Sequence, residues 1–319
     1  MTPGYRALRE GAAYMDLSQR GKVAVRGPDR TRLIHALTTN DIRSLVPGTG
    51  CYAFFLNAQG RVLADANIFC LPDQILLDTE SETRNTILAH IEEFTIADEA
   101  SVNDLTPEIG TVSIEGPSAK DVIEAIIRPV PEEKHRIILS AYGWVARVST
   151  TGQPGWMVFV PAAVQGQLVA DIQTAGGVHA NLADARVVRI ENAKPRFGEE
   201  ITARFLAAEA GQLDGISSHK GCYLGQEVVE RLRSRNAVSR VLGPIHFEHG
   251  VSAAAGTKLH DGDARVGEIM SAAYSPHFGH WVGLAYIRTD IFRPGASLTV
   301  DSGRVTITGT TGVREMCAG

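Results

Sequence analysis

The chain has 319 residues, of which 44% are hydrophobic and 21% charged, and carries a net charge of −5. That length and balance describe a globular protein of two or three domains and exclude disordered and fibrous classes. The net negative charge argues against broad nucleic-acid binding by bulk electrostatics, although local basic clusters remain able to hold an anion.

The N-terminal stretch "MTPGYRALREGAAYMDLSQRG" has no apolar run of the signal-peptide kind, and it carries Glu10 and Asp16, which transit peptides avoid. The longest apolar runs, such as Trp156 to Val164, are far too short to cross a bilayer. Cys51, Cys70, Cys222 and Cys317 are scattered, without a CxxC pair or a histidine at ligand spacing. A disulfide framework or zinc site is therefore not expected. The reading is a cytoplasmic protein, monomeric by default, with no membrane or direct nucleic-acid partner and no bound metal.

In chain order, "GKVAVRGPDRTRLIHAL" (21–37) and "GTVSIEGPSAKDVIEAI" (110–126) look like two copies of one unit: an alternating strand, a Gly-Pro turn and an amphipathic helix. Pro28 and Pro117 are expected in the first helical turn. Leu33, Ile34 and Leu37, and Val122, Ile123 and Ile126, form the inward stripes. The repeat period of about ninety residues is too long for a solenoid, which leaves two related α+β lobes. Between them, "GCYAFFLNAQGRVLADANIFCLP" reads as a hairpin turning at Gly60, "QILLDTE" as a strand, and "SETRNTILAHIEEFTI" as a helix capped by Ser81. The second lobe continues through "WMVFVP", a helix in "AAVQGQLVADIQTAG", and a helical "DARVVRIENAKPRFGEEI" broken at Lys194-Pro195. After Arg240, short apolar runs alternate with Gly, Pro and Asp, the pattern of a small all-β domain. The expected organisation is residues 1–239, in two interwoven lobes of roughly 1–108 and 109–239, followed by 240–319.

The stretch "SSHKGCYLGQEVVERL" gathers Lys220, Gly221, Cys222, Tyr223, Gly225, Gln226 and Glu227. An extended entry puts Lys220 and Cys222 on one face, and Gly225 then turns the chain into a helix with Val228, Val229 and Leu232 inward. Glu227 sits in its first turn, where the helix dipole favours a carboxylate. A cysteine beside a lysine and a helix N-terminus is placed for thiolate chemistry. A small buried cysteine in a glycine turn explains the same residues, and no partnering base or second cysteine is visible. The histidine pairs His246/His249 and His277/His280 lack an acidic partner in register, and no P-loop, GxGxxG or Ser-His-Asp pattern occurs.

"KGCYLGQE" resembles the signature of the YgfZ proteins, a branch of the glycine-cleavage T-protein (aminomethyltransferase) superfamily. "HALTTNDI", "FLNAQGRVLAD", "GPSA", "TGQPGWMVFVP", "RIENAKPRFGEEI" and "YSPHFGHWVGLAYI" follow in the order that superfamily uses. The resemblance implies an α+β, three-domain cloverleaf, two α+β lobes plus a C-terminal β-barrel around a central channel for tetrahydrofolate or a polyglutamylated derivative. It implies that Glu191, in an R-x-E segment, binds the pterin through a fork of two hydrogen bonds, and that Tyr52 lines the channel. It places Lys220 near the folate tail, beside the basic run that offers Arg231, Arg233, Arg235 and Arg240. In the hairpin, Ala64 stands where the T-proteins carry an aspartate needed for aminomethyl transfer; Asp65 follows at the second acidic position, and strand alternation sends it to the opposite face, so it is not expected to replace the missing carboxylate. The resemblance therefore favours a folate-binding accessory protein of iron–sulfur cluster assembly or repair, with tRNA modification among the dependent processes. Its partners would be iron–sulfur proteins or assembly factors, and Cys222 with Lys220 its reactive group. A folate-dependent aminomethyltransferase, and a binding module whose motif only shapes a turn, are the alternatives.

Overall fold

The structure, a computed structural model, describes residues 1–234 and 238–309. Arg235, the Arg233 side chain and Cys317, all named above, lie outside what is described. The chain opens with α1 (Pro3–Glu10) and β1 (Ala13–Asp16). It then builds a first lobe from β2 (Gly21–Arg26), α2 (Arg30–Leu37), β3 (Gly50–Leu56), β4 (Val62–Cys70), β5 (Gln74–Thr79), α3 (Arg84–Phe94) and β6 (Ser101–Asp104). A second lobe contains β7 (Ile109–Glu115), α4 (Ala119–Ile126), β8 (Ile137–Ser140), β9 (Gly143–Ala146), β10 (Gly155–Pro161), α5 (Gln165–Thr174), β11 (Val178–His179) and α6 (Leu182–Glu191). A long connection leads to α7 (Gln226–Ser234). The strands β12 (Arg240–Phe247), β13 (Lys258–Asp261), β14 (Ala264–Ser275), β15 (His280–Arg288), β16 (Ser297–Val300) and β17 (Gly303–Ile307) then close into a barrel.

The first lobe's sheet runs β3-β4-β5-β2-β6, and the second lobe's runs β11-β1-β7-β10-β9-β8. β1 thus crosses into the second sheet, pairing antiparallel with β7 and parallel with β11. The two β-turn-α copies both occur, and their shared device is the glycine. Gly27 and Gly116 have φ of +102° and +128°, and a Cβ at either would lie 2.2 Å from Glu99 O or 2.4 Å from Gly11 O. The prolines precede the helices, which begin only at Arg30 and Ala119, so they set the approach and not the first turn. Likewise Ser81 opens a single 3-10 turn and makes no cap, and α3 starts at Arg84. Leu33, Ile34, Leu37, Val122 and Ile123 are buried as the periodicity requires.

The barrel is tied to the rest through the connection. Arg240 pairs with Glu209 at 3.0 Å and lies 4.8 Å over the Phe205 ring, which stacks on Tyr286 at 3.6 Å. Among the described residues no helix is long and apolar enough to cross a membrane.

One buried carboxylate organises the second lobe. Glu115, fully buried at the end of β7, accepts from the hydroxyls of Ser113, Ser149, Thr150 and Thr151 and from the backbone N–H of Thr150 and Thr151. This pins the 149–152 loop against the sheet. Glu115→Ala leaves these donors unsatisfied, and we expect a loss of about 3 kcal/mol or more in urea unfolding, against about 1 kcal/mol for Thr150→Val.

Candidate functional site

Two contiguous cavities lie among the lobes and the connection, and β3, β4 and the segment after α6 shape them. The first, about 270 Å³, is walled by Tyr52, Asp65, Asn67, Arg20 and Glu80 of the first lobe, Ser149, Thr150, Arg186 and Arg189 of the second, and the 194–199 strap. The second, about 340 Å³, is walled by Asn67, Lys134, His135, Arg147, Ser149, Gly152 and Lys194. Asn67, Ser149 and Lys194 belong to both walls and mark the junction.

Strand alternation decides what the first cavity sees. β3 and β4 pair with Tyr52 opposite Asn67, Phe54 opposite Asp65 and Phe55 opposite Ala64. Tyr52, Asp65 and Asn67 therefore share the cavity face, whereas Ala64 is fully buried in the lobe core with Ile34, Ala53 and Phe55. An aspartate at position 64 would point into that core. The expectation that Ala64 removes the channel carboxylate is thus corrected: the carboxylate facing the cavity is Asp65.

Asp65 Oδ2 accepts from Tyr52 OH at 2.6 Å, and Oδ1 has no hydrogen-bond partner among the described residues. Burial pushes the Asp65 carboxyl up to about 6; Glu80 adds to this, while Tyr52, Arg20 and Lys194 oppose it. Burial and the Asp65 charge also raise the Tyr52 phenol. The other wall carboxylates are already saturated. Arg20 binds Asp78 through two bonds of 2.8 and 2.9 Å and also meets Glu80, which Arg196 holds at 3.0 Å. Arg186 and Arg189 both hold Glu199, at 2.8 and 2.6 Å. Lys194 has no carboxylate within salt-bridge distance among the described residues. Its ammonium stands 5.8 Å from the Tyr52 ring, and burial lowers its pKa.

The structure separates the other sequence-derived candidates. Glu191 closes α6 away from both cavities. Its Oε1 accepts from Tyr5 OH and Ser275 Oγ, each at 2.5 Å, and Arg9 stands 3.5 Å from Oε2. Lys220 borders neither cavity. Its Nζ donates to the carbonyls of His35 (2.6 Å), Thr38 (2.5 Å) and Asn40 (2.9 Å), satisfying the C-terminal end of α2, and burial lowers its pKa to about 8. The stretch from Ser217 to Gly225 is loop and not strand, with Gly221 and Cys222 exposed and Tyr223 buried beneath the Lys220 ammonium, 4.8 Å from its ring. Gly225 (φ +81°) packs on Asn57 O, Gln226 and Glu227 open α7, and Arg231 is exposed on that helix, outside both cavity walls. Sequence reading missed Lys194, Arg20, Arg147 and His135. The one available signal was the alternation that puts Asn67 on the face of Asp65. Among the described residues no group of three or more His, Cys, Asp or Glu gathers into a metal-binding cluster.

Two outcomes follow from these environments. Lys220→Met strands three carbonyls and should cost about 2 kcal/mol or more in urea unfolding. Asp65, raised from the ordinary value of 3.8 to about 6, binds its proton more tightly when folded. Its contribution is then complete below pH 4 and is lost as pH rises to 6, by about 3 kcal/mol. Asp65→Asn should abolish that drop in plots of melting temperature against pH; an unchanged profile would refute the assignment.

Comparison with known proteins gives a consistent picture. Residues 2–216 match the family model "GCVT N-terminal domain", and residues 242–313 match the "Glycine cleavage T-protein C-terminal barrel domain". An aminomethyltransferase of Nostoc sp. is 25% identical, covering 94% of this chain and 83% of its own. A putative chloroplastic transferase of Arabidopsis thaliana is 24% identical, covering 92% and 69%. The glycine cleavage system aminomethyltransferase T of Bartonella henselae superposes with a TM-score of 0.87 at 18% identity, over 97% of this chain and 88% of that one, a likeness of fold.

Proposed function

Because the chain belongs to the glycine-cleavage T-protein family, we propose that it binds tetrahydrofolate in the first cavity and acts there as a folate-dependent one-carbon transferase. The observation that carries this reading is Asp65, a cavity-facing carboxylate with one oxygen held by Tyr52 and the other open. The wall suits a reduced folate chemically: an amide at Asn67, a carboxylate at Asp65, the Tyr52 ring and the Lys194 ammonium converge on one apolar-floored space. Folate, when bound, supplies the nitrogen that accepts or donates the one-carbon unit. Asp65 takes up or returns the accompanying proton at Oδ1, and a carboxyl near 6 changes protonation readily at neutral pH. Tyr52 holds Oδ2 and favours the ionised form. Since Glu191 is engaged by Tyr5 and Ser275, this reading gives it no pterin contact and assigns it to the joint between α6 and the barrel.

The test is one-carbon transfer between an aminomethyl-lipoyl carrier protein and tetrahydrofolate. Asp65→Asn should lower the rate about a hundredfold or more, with a smaller loss of folate affinity. Tyr52→Phe removes the bond that favours the carboxylate, so the acid limb of the pH–rate profile should move up from about 6. A wild-type protein that binds folate but transfers no one-carbon unit sinks the transferase reading.

A second reading, an iron–sulfur assembly or repair accessory that binds folate, is favoured by the "KGCYLGQE" segment. There the exposed Cys222 is held out between two anchored neighbours, Lys220 and Tyr223. In a deletion strain this reading expects Cys222→Ala to lower iron–sulfur enzyme activities while Asp65→Asn leaves them intact. The transferase reading expects Asp65→Asn to lower one-carbon transfer and neither variant to lower iron–sulfur enzyme activities.

A further inference from the structure

We propose that the second cavity is a carboxylate-binding subsite built on Arg147 and Lys194. Three cations line its wall, Lys134, Arg147 and Lys194, against one carboxylate, Glu132, which is largely exposed and turned to Lys120 at 2.7 Å. Lys134 is neutralised at the rim by Asp214. Arg147 and Lys194 have no carboxylate within salt-bridge distance among the described residues. Arg147 is fixed by its bond to Gly155 O (2.6 Å) and by the Trp156 ring, 4.3 Å away, leaving the rest of its guanidinium fork for another partner. The nearest buried carboxylate, Glu115, has its oxygens filled by the 149–151 hydroxyls and N–H groups. Both cations are half-buried, and desolvation holds down their pKa although the more distant carboxylates Glu115, Asp65 and Asp214 oppose it. His135 contributes a neutral ring bonded to Asn67 at 3.2 Å, on a backbone with φ of +60°, a strained conformation typical of ligand walls. Two unpaired cations around about 340 Å³ suit a carboxylate, received bidentately by Arg147 and as a point charge by Lys194.

That carboxylate has two possible sources: the glutamate tail of a folate in the adjoining cavity, or a separate small acid bound beside it. Only the first source rests on the function proposed above. The experiment is calorimetric titration with succinate, with free γ-linked triglutamate, and with 5-formyltetrahydrofolate carrying one or three glutamates. It compares wild type, Arg147→Met, Arg147→Lys and Lys194→Met. A carboxylate probe should bind the wild type, lose about tenfold in each Met variant, and recover only in part in Arg147→Lys, which restores the charge but not the fork. If the tail is the source, the triglutamate form binds more tightly than the monoglutamate and the gap closes in the Met variants. If a separate acid is the source, both folates bind alike and succinate binds alongside them. Succinate binding that responds to the variants without any folate binding supports the subsite and sinks the folate reading. Should Arg147→Met fail to fold, Lys194→Met and the wild-type titrations decide. The inference is overturned if succinate and triglutamate do not bind and tail length has no effect, or if no probe distinguishes wild type from variants that melt alike.

Discussion

Neighbouring residues of a β-strand show their side chains to opposite faces, and in the β3–β4 hairpin each face has its own task. One face gives Ala53, Phe55, Ala64 and Ala66 to the lobe core against α2 and α3. The other gives Tyr52, Asp65 and Asn67 to the space between the lobes. A slip of one residue would exchange these sets, burying a carboxylate among isoleucines and turning phenylalanine to the cavity. The register is fixed from both sides, by the apolar core and by the Tyr52–Asp65 bond. The chemistry of the cavity follows from that register.

The surrounding charges then sort into two kinds. Arg20 with Asp78 and Glu80, Arg196 with Glu80 and Glu82, and Arg189 with Glu199 and Glu200 are mutually satisfied. A paired buried charge of this kind supports the architecture, and removing one partner is costly because the other remains. Asp65, Lys194 and Arg147 differ. Asp65 is buried and the two cations are half-buried; each borders a cavity, and none has a salt-bridge partner among the described residues. These three stand on the cavity walls where the proposals above place folate and a carboxylate.

This division explains what the sequence could disclose. The β2–α2 and β7–α4 copies were legible because their signals are local: a two-residue strand period, a positive-φ glycine, and an apolar helical stripe. The barrel was legible from the spacing of its short apolar runs. The site was legible in part: Tyr52 and Asp65 were both candidates on one hairpin, but alternation counted from Ala64 set Asp65 on the wrong face, because Ala64 itself belongs to the core. Lys220, Glu191 and Lys194 were not, because their roles depend on where distant segments come to rest. Lys220 looked poised beside Cys222, yet its ammonium crosses to the carbonyl end of α2. Glu191 carried a recognisable R-x-E context, yet the arrival of Tyr5 and Ser275 engages it. Lys194 read as a helix break, but α6 ends at Glu191, and Ala193 with φ of +53° turns the lysine into the cavity wall.

The same hairpin also joins the cavity to the surface loop that bears Cys222. A Cβ on Gly225 would lie 2.6 Å from Asn57 O, and one on Gly60 would lie 2.9 Å from the Val228 side chain, so the turn of the hairpin and the start of α7 pack with no room for a side chain at either glycine. Tyr223 packs in one cluster with Phe54, Leu56 and Val62, on the strands that carry Tyr52 and Asp65. Lys220 fastens the other end of the loop to α2, which packs on the same sheet. Cys222 is therefore held at a fixed place relative to Asp65 although one is exposed and the other buried. Gly225, Lys220 and Tyr223 of the motif provide that mounting, and the cysteine is exposed, without a structural bond of its own among the described residues. The cavity carboxylate and the exposed thiol, on which the two readings of function rest, are thus mounted on the same hairpin.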